Sequence, residues 1–116
     1  MKIQEIKNKI KNKIAALATV NQKNLPHAIA VEINGIIYNK LIITDNYMKA
    51  TINNIKNNPN ISIVFWDKNA GYRIDGKAEY HNSGKWLDFV KSLKENRKFP
   101  TKGALIINIT EIKKIG

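Results

Sequence analysis

The stretch Leu41–Pro59, LIITDNYMKATINNIKNNP, passes from an apolar strand through a polar turn into a short helix. Such junctions suit phosphate, because the first turn of a helix leaves backbone N–H groups without intrahelical partners. Asp45 and Asn46 are the candidate caps, and the first turn adds an ammonium from Lys49 and a hydroxyl from Thr51. The helix is predicted near residues 46–57 and ends before Pro59, which disfavours helical backbone at Asn58. Read locally, the same pattern also describes an ordinary capped surface helix with a solvated lysine, and that is the commoner outcome.

Upstream, HAIAVEI, IIYNKLIIT and the Asn34-Gly35 dipeptide between them predict a hairpin on a two-residue turn. Before it, AALATVN reads as a small-residue strand, and the chain turns back around residues 22–24 to reach Leu25-Pro26. Ile3, Ile6, Ile10 and Ile14 recur at helical spacing, which predicts a basic amphipathic helix near residues 2–12 with its isoleucines facing the core. That face carries no aromatic anchor, so the membrane-surface reading is the weaker one.

Downstream of the central helix, ISIVFWD and GYRIDGKAEYH are strands rich in β-branched and aromatic residues. Gly76 interrupts the second, which predicts a bulge or a close backbone approach. SGKWLDFVKSLKEN sets Trp86, Phe89, Val90 and Leu93 on one helical face with Ser83 as cap, GALIINIT is a last strand, and EIKKIG is a tail. Six strands joined mostly by short turns, with flanking helices, predict a mainly β fold: a six-stranded antiparallel barrel in a single domain over residues 1–116. Side chains fill so small a barrel, so a sizeable ligand belongs on its outer wall, against a second subunit.

The composition narrows the chemistry. With no cysteine there is no disulfide, thiol nucleophile or thiolate metal site. The net charge of +11 comes mostly from lysine spread through a chain rich in isoleucine and asparagine, with Arg73 and Arg97 as the only arginines. Arginine is what bidentate base and phosphate recognition prefers, and no nucleic-acid-binding motif is present, so nucleic acid is a minor alternative. The basic opening MKIQEIKNKIKNK is followed by only a short apolar run, and no segment reaches the roughly 20 apolar residues of a membrane span. The expectation is a cytoplasmic protein without membrane contact. No serine-histidine-acid set, metal-ligand spacing or glycine-rich loop appears, so no catalytic residue and no metal are assigned.

The order ALATVN, LPHAIAVEI, IITDNYMKATINNIKNNP, ISIVFWD, GYRIDGKAEY and FPTKGALIINIT resembles the pyridoxamine 5'-phosphate oxidase-like, FMN-binding split-barrel family over nearly the whole chain. It is most similar to the short FMN-binding members, which lack the added segments of true vitamin B6 oxidases, so that activity is not expected. The resemblance implies that Lys49 and Thr51 bind the FMN phosphate with the backbone at Ala50. It implies that Ala30, Val31 and Glu32 run beside the ribityl chain and ring, and that Thr44, Asp45 and Asn46 form the loop addressing the ring edge. Two departures stand out: in some relatives a basic residue directly precedes the threonine, where this chain has Ala50, and an aromatic residue occupies the place of Glu32. The implied function is an FMN-dependent oxidoreductase or electron carrier, the flavin held at a homodimer interface and served by a small-molecule or protein redox partner. Lysines near the ring would attract anionic partners. Another cofactor on the same barrel, a deazaflavin or haem, is the alternative within the fold.

The other chemistry-bearing residues have a plain reading beside the functional one. His27 starts a strand and is more often half-exposed than catalytic, and His81 in EYHNSG is assigned no role. Trp66 and Trp86 lie in apolar runs and read as core. The resemblance places Phe99 and Pro100 near the flavin of the other subunit. Asp75 and Glu79 share a strand face and read as solvated charges.

Overall fold

The computed structural model describes residues 1–115. Its elements are α1 (Ile3–Ile10), β1 (Ile14–Val20), β2 (Pro26–Ile37), β3 (Lys40–Asp45), α2 (Ala50–Asn57), β4 (Asn60–Asp67), β5 (Ala70–His81), α3 (Lys85–Ser92), a 3-10 turn (Lys94–Asn96) and β6 (Gly103–Ile115). The strands close into an antiparallel barrel in the order β1-β2-β3-β6-β5-β4. No helix among the described residues is long and apolar enough to cross a membrane.

Alternation along each strand builds the core. Leu17, Ile33, Leu41, Ile43, Ile63, Phe65, Ile74, Leu105 and Ile107 point inward and are essentially inaccessible. Phe65 and Tyr72 stack there with ring centroids 5.0 Å apart. Two helices complete this core, α1 through Ile6 and Ile10 and α2 through Ile52 and Ile55. The helix α3 covers the outer wall instead: Val90 packs on Ile42, Ala104 and Ile106. That explains why β3 and the start of β6 read as unbroken apolar runs, since both of their faces are buried.

Several expectations are corrected. The Asn34-Gly35 pair does not turn the chain. β2 continues through it as a bulge, Gly35 holds φ 153°, and the hairpin turns at Tyr38-Asn39, between the paired residues Ile37 and Lys40. The turn rule fails because the Asn34 side chain is buried and bonded to distant residues, which a local preference does not weigh. Asp45 and Asn46 do not cap α2, which starts only at Ala50, and no side chain caps α3 either, so Ser83 is not its cap. Ile14 is exposed because α1 ends at Ile10 and Ile14 opens β1. Trp66 is 62% exposed, not core, because Phe65 before it takes the inward position. EIKKI continues β6, and Gly116 lies outside the described residues. The bulge at Gly76 is present: the β5–β6 register shifts between Asp75 and Gly76, and a Cβ there would meet the Asn108 carbonyl oxygen at 2.5 Å.

Candidate functional site

A cleft of about 460 Å³ opens on the outer wall, bounded by β2, the end of β3, the start of α2 and the segment from Glu95 to Phe99. Its β2 wall presents Ile29, Ala30, Val31 and Glu32, and its far side Tyr47, Met48 and Phe99.

The start of α2 faces this cleft without a cap. Lys49 occupies the N-cap position with no side-chain cap bond, and the first helical bond runs from the Asn53 N–H to the Lys49 carbonyl at 3.2 Å. The N–H groups of Ala50, Thr51 and Ile52 therefore lack intrahelical acceptors. The two expected caps are engaged elsewhere. Asp45 accepts the Met48 N–H at 2.8 Å and the Tyr80 hydroxyl at 2.6 Å, while Asn46 donates to the Pro100 carbonyl at 2.8 Å. Lys102 donates to the Met48 carbonyl at 3.1 Å. Together these bonds hold the loop that delivers Lys49 and leave the helix end open. Thr51 is 2% exposed and lines the cleft from that end.

A second polar group lines the cleft as one hydrogen-bonded chain. Asn96 donates to the Val90 carbonyl at 2.7 Å and to the Thr44 hydroxyl at 2.8 Å, and Thr44 donates to Asn34 Oδ1 at 2.8 Å. The Asn34 amide donates to Glu95 Oε2 at 3.1 Å. The Asn12 amide donates to Glu95 Oε2 at 3.2 Å and to Glu32 Oε2 at 2.8 Å. Asn12 sits at φ 62°, a left-handed conformation that asparagine tolerates. Burial alone would raise the Glu95 pKa, but its own backbone N–H, the Asn34 and Asn12 amides and nearby Lys11 outweigh this and hold it below the ordinary carboxylate value. The cleft thus carries donors at the helix end and carboxyl groups on the Glu32–Glu95 wall.

Of the residues singled out from the sequence, Ala30, Val31, Glu32, Thr44, Asn46, Lys49, Ala50 and Thr51 all line this one cleft. Asp45 does not; it lies beneath the loop against Tyr80. His27 and Phe99 also line the cleft. The remaining candidates are elsewhere: Trp86 is half-buried against α3's own cluster, and Asp75 accepts from Ser62 and pairs with Arg73 at 3.2 Å. Glu79 takes the Asn108 amide at 2.6 Å, which with His81 keeps its pKa low despite partial desolvation. Sequence reading missed Asn12, Asn34, Tyr47, Glu95 and Asn96. The hydrogen-bond partners of Asn12, Asn34, Glu95 and Asn96 lie up to 83 residues away, so no spacing rule reveals them. Among the described residues no group of three His, Asp or Glu side chains comes together to hold a metal.

Residues 2–116 match the family described as pyridoxamine 5'-phosphate oxidase. An uncharacterized protein of Methanocaldococcus jannaschii is 31% identical over 117 residues, covering 94% of this chain and 77% of that protein. The crystal structure of HupZ from Group A Streptococcus is 30% identical, with a TM-score of 0.88 over 99% of this chain and 94% of that one. An FMN-binding protein from Syntrophomonas wolfei shares the fold at 16% identity, with a TM-score of 0.74 over 99% of this chain and 84% of that one.

Proposed function

The chain belongs to the pyridoxamine 5'-phosphate oxidase family, and on that footing we propose that its outer-wall cleft binds FMN and that the protein works as a flavin-dependent oxidoreductase or electron carrier. One observation carries the reading: α2 opens onto the cleft uncapped, with Lys49 at its N-cap and the buried Thr51 beside it. A dianionic phosphate matches an ammonium, a hydroxyl and the positive end of a helix. Ala30, exposed on the β2 wall, gives the rest of such a ligand an uncharged flank. Bound FMN would supply hydride and electron chemistry that no side chain of this chain provides. The chain's part is to anchor the phosphate, order the loop from Asn46 to Lys49, and limit water at the β2 wall.

The same reading includes a homodimer. Ala16, Ala28 and Ala30 are exposed on the outer face of β1 and β2, where Ala16 pairs with Ala30, and Ile14 and Trp66 are exposed at the same end of β1 and β4. Small and apolar side chains next to the cleft suit a second copy packing there and closing over the flavin.

The deciding experiment is an absorbance scan of the purified protein before and after adding FMN and removing the excess. Retained flavin bands near one equivalent per chain support the proposal. Failure to take up FMN overturns it, and titrations with a deazaflavin, haem and salt-varied nucleic acid then test the alternatives.

A further inference from the structure

We propose that the groove between α1 and α3 is a second binding site, for a medium-chain carboxylate whose head meets Lys7 and Lys11 and whose hydrocarbon tail lies over Phe89 and Leu93. The groove encloses about 280 Å³ and shares only Asn34 with the cleft, so the proposal does not depend on the FMN reading.

The head is argued from the lysines of the first helix. Lys7, Lys9, Lys11 and Lys13 alternate along α1 and the turn after it, and the barrel uses two of them. Lys9 donates to the Tyr72 hydroxyl at 3.3 Å, with its ammonium 5.6 Å from the ring centroid, and Lys13 pairs with Asp67 at 3.2 Å. Lys7 and Lys11 are exposed and line the groove one helical turn apart. Among the described residues neither ammonium has a carboxylate within the 4.0 Å of an ion pair, and no carboxylate lines the groove. Glu95 feels the charge of Lys11 from the cleft side, which leaves Lys7 as the less committed of the two. Two such cations on one rim give an anion a local reason to settle there, beyond the diffuse charge of +11.

The tail is argued from an apolar cluster left open at its edge. Beneath α3 only Ile42, Val90, Ala104 and Ile106 are fully buried, while Ile37, Phe89 and Leu93 pack at the margin and stay partly exposed. These three, with Ile42, form the floor and far wall of the groove. The isoleucines of α1 are spent on the main core, so that helix offers the margin its lysines and no apolar cover. An apolar floor facing a cationic rim has the polarity of an anionic amphiphile. The volume sits just below the roughly 300 Å³ at which ligand pockets begin, which fits one short chain and not a long lipid.

Calorimetric titration at low salt, with and without added FMN, compares octanoate, hexanoate, acetate and octylammonium. Octanoate is expected to bind at one per chain, roughly tenfold tighter than hexanoate, since each buried CH₂ is worth up to about fourfold. It should also exceed octylammonium by roughly tenfold. Lys7→Gln/Lys11→Gln should remove most of that margin, whereas Lys49→Gln/Lys56→Gln, which takes the same charge from α2, should leave octanoate within about twofold. All four lysines are exposed, so both variants keep the fold. Absent octanoate binding, acetate or octylammonium binding as tightly as octanoate, equal losses in the two variants, or displacement of octanoate by FMN each overturns the proposal. Octanoate binding with these preferences in a protein that takes up no FMN upholds the groove and removes the FMN reading alone.

Discussion

Tyr80 donates its phenolic hydrogen across 2.6 Å to the carboxylate of Asp45, whose side chain is only 2% exposed. The bond ties the end of β5 to the last residue of β3, beneath the loop that leads to Lys49. Burial first, and the bonded Asp45 second, push the Tyr80 pKa up to about 12 from its ordinary 10. A group with a raised folded-state pKa adds stability that is complete below its unfolded value and disappears as pH climbs through the folded one. Wild-type stability should therefore fall between pH 10 and about 12 partly on account of Tyr80. Tyr80→Phe should cost about 1.5–3 kcal/mol at neutral pH, since it removes a hydrogen bond to a charged group, and should lose less across that alkaline window. Urea unfolding at both ends of the window checks this, and parallel curves for the two proteins would refute it.

At the helix end, Lys49→Ala and Thr51→Ala each remove one charge-matched or hydroxyl contact to phosphate. Each should weaken FMN by about 1.5–3 kcal/mol, roughly ten- to a hundredfold, with little change for riboflavin, which has no phosphate. Fluorescence titration with both flavins reads the difference. Full FMN affinity in the double variant would remove the phosphate from α2.

Glu95 gives the acid counterpart. Amide donors hold its pKa below the ordinary value despite burial, so the stability it contributes is present above that value and lost as pH falls through the depressed one. Glu95→Gln should therefore show a shallower loss of melting temperature on acidification than wild type. A steeper loss would mean that the amide chain does not favour the ionised form.

Sedimentation should give the mass of two chains for the wild type. Replacing both Ile14 and Trp66 with glutamate puts charge on the exposed face beside the cleft and should shift the mass to one chain without lowering helix or strand content. A wild type sedimenting as a single chain at micromolar concentration would exclude that face as a stable interface.

The barrel and the strand-to-helix junction at Leu41–Pro59 were legible because they follow from short-range patterns, period-two alternation and the break at Gly76 among them, whereas the β2 residues and the Thr44–Asn46 loop of the cleft came only from the family resemblance. What escaped is set by distant partners. Asn34 reads as half of an Asn-Gly turn, yet its amide bonds Thr44 and Glu95, 10 and 61 residues away. Asp45 reads as a cap, yet Tyr80 claims its carboxylate from 35 residues away. Trp66 differs for another reason: the apolar run ISIVFWD reads as core throughout, whereas strict alternation from the buried Phe65 turns Trp66 outward.

The strand order also prescribes how the barrel comes together. β1-β2-β3 and β4-β5-β6 are each continuous meanders, and they meet along two seams, β3 with β6 and β1 with β4. The first seam matches six residue pairs from Lys40↔Asn108 to Asp45↔Gly103, the second only three, from Ala16↔Val64 to Ala18↔Ser62. Each meander can nucleate through neighbours in sequence, whereas either seam must first close a long loop. The β1–β4 seam is thus the zipper's weak end, and its amides should exchange hydrogen sooner than those between β3 and β6. Since β1 also carries the exposed Ala16 next to the cleft, whatever covers that face would reinforce the one line along which the barrel parts.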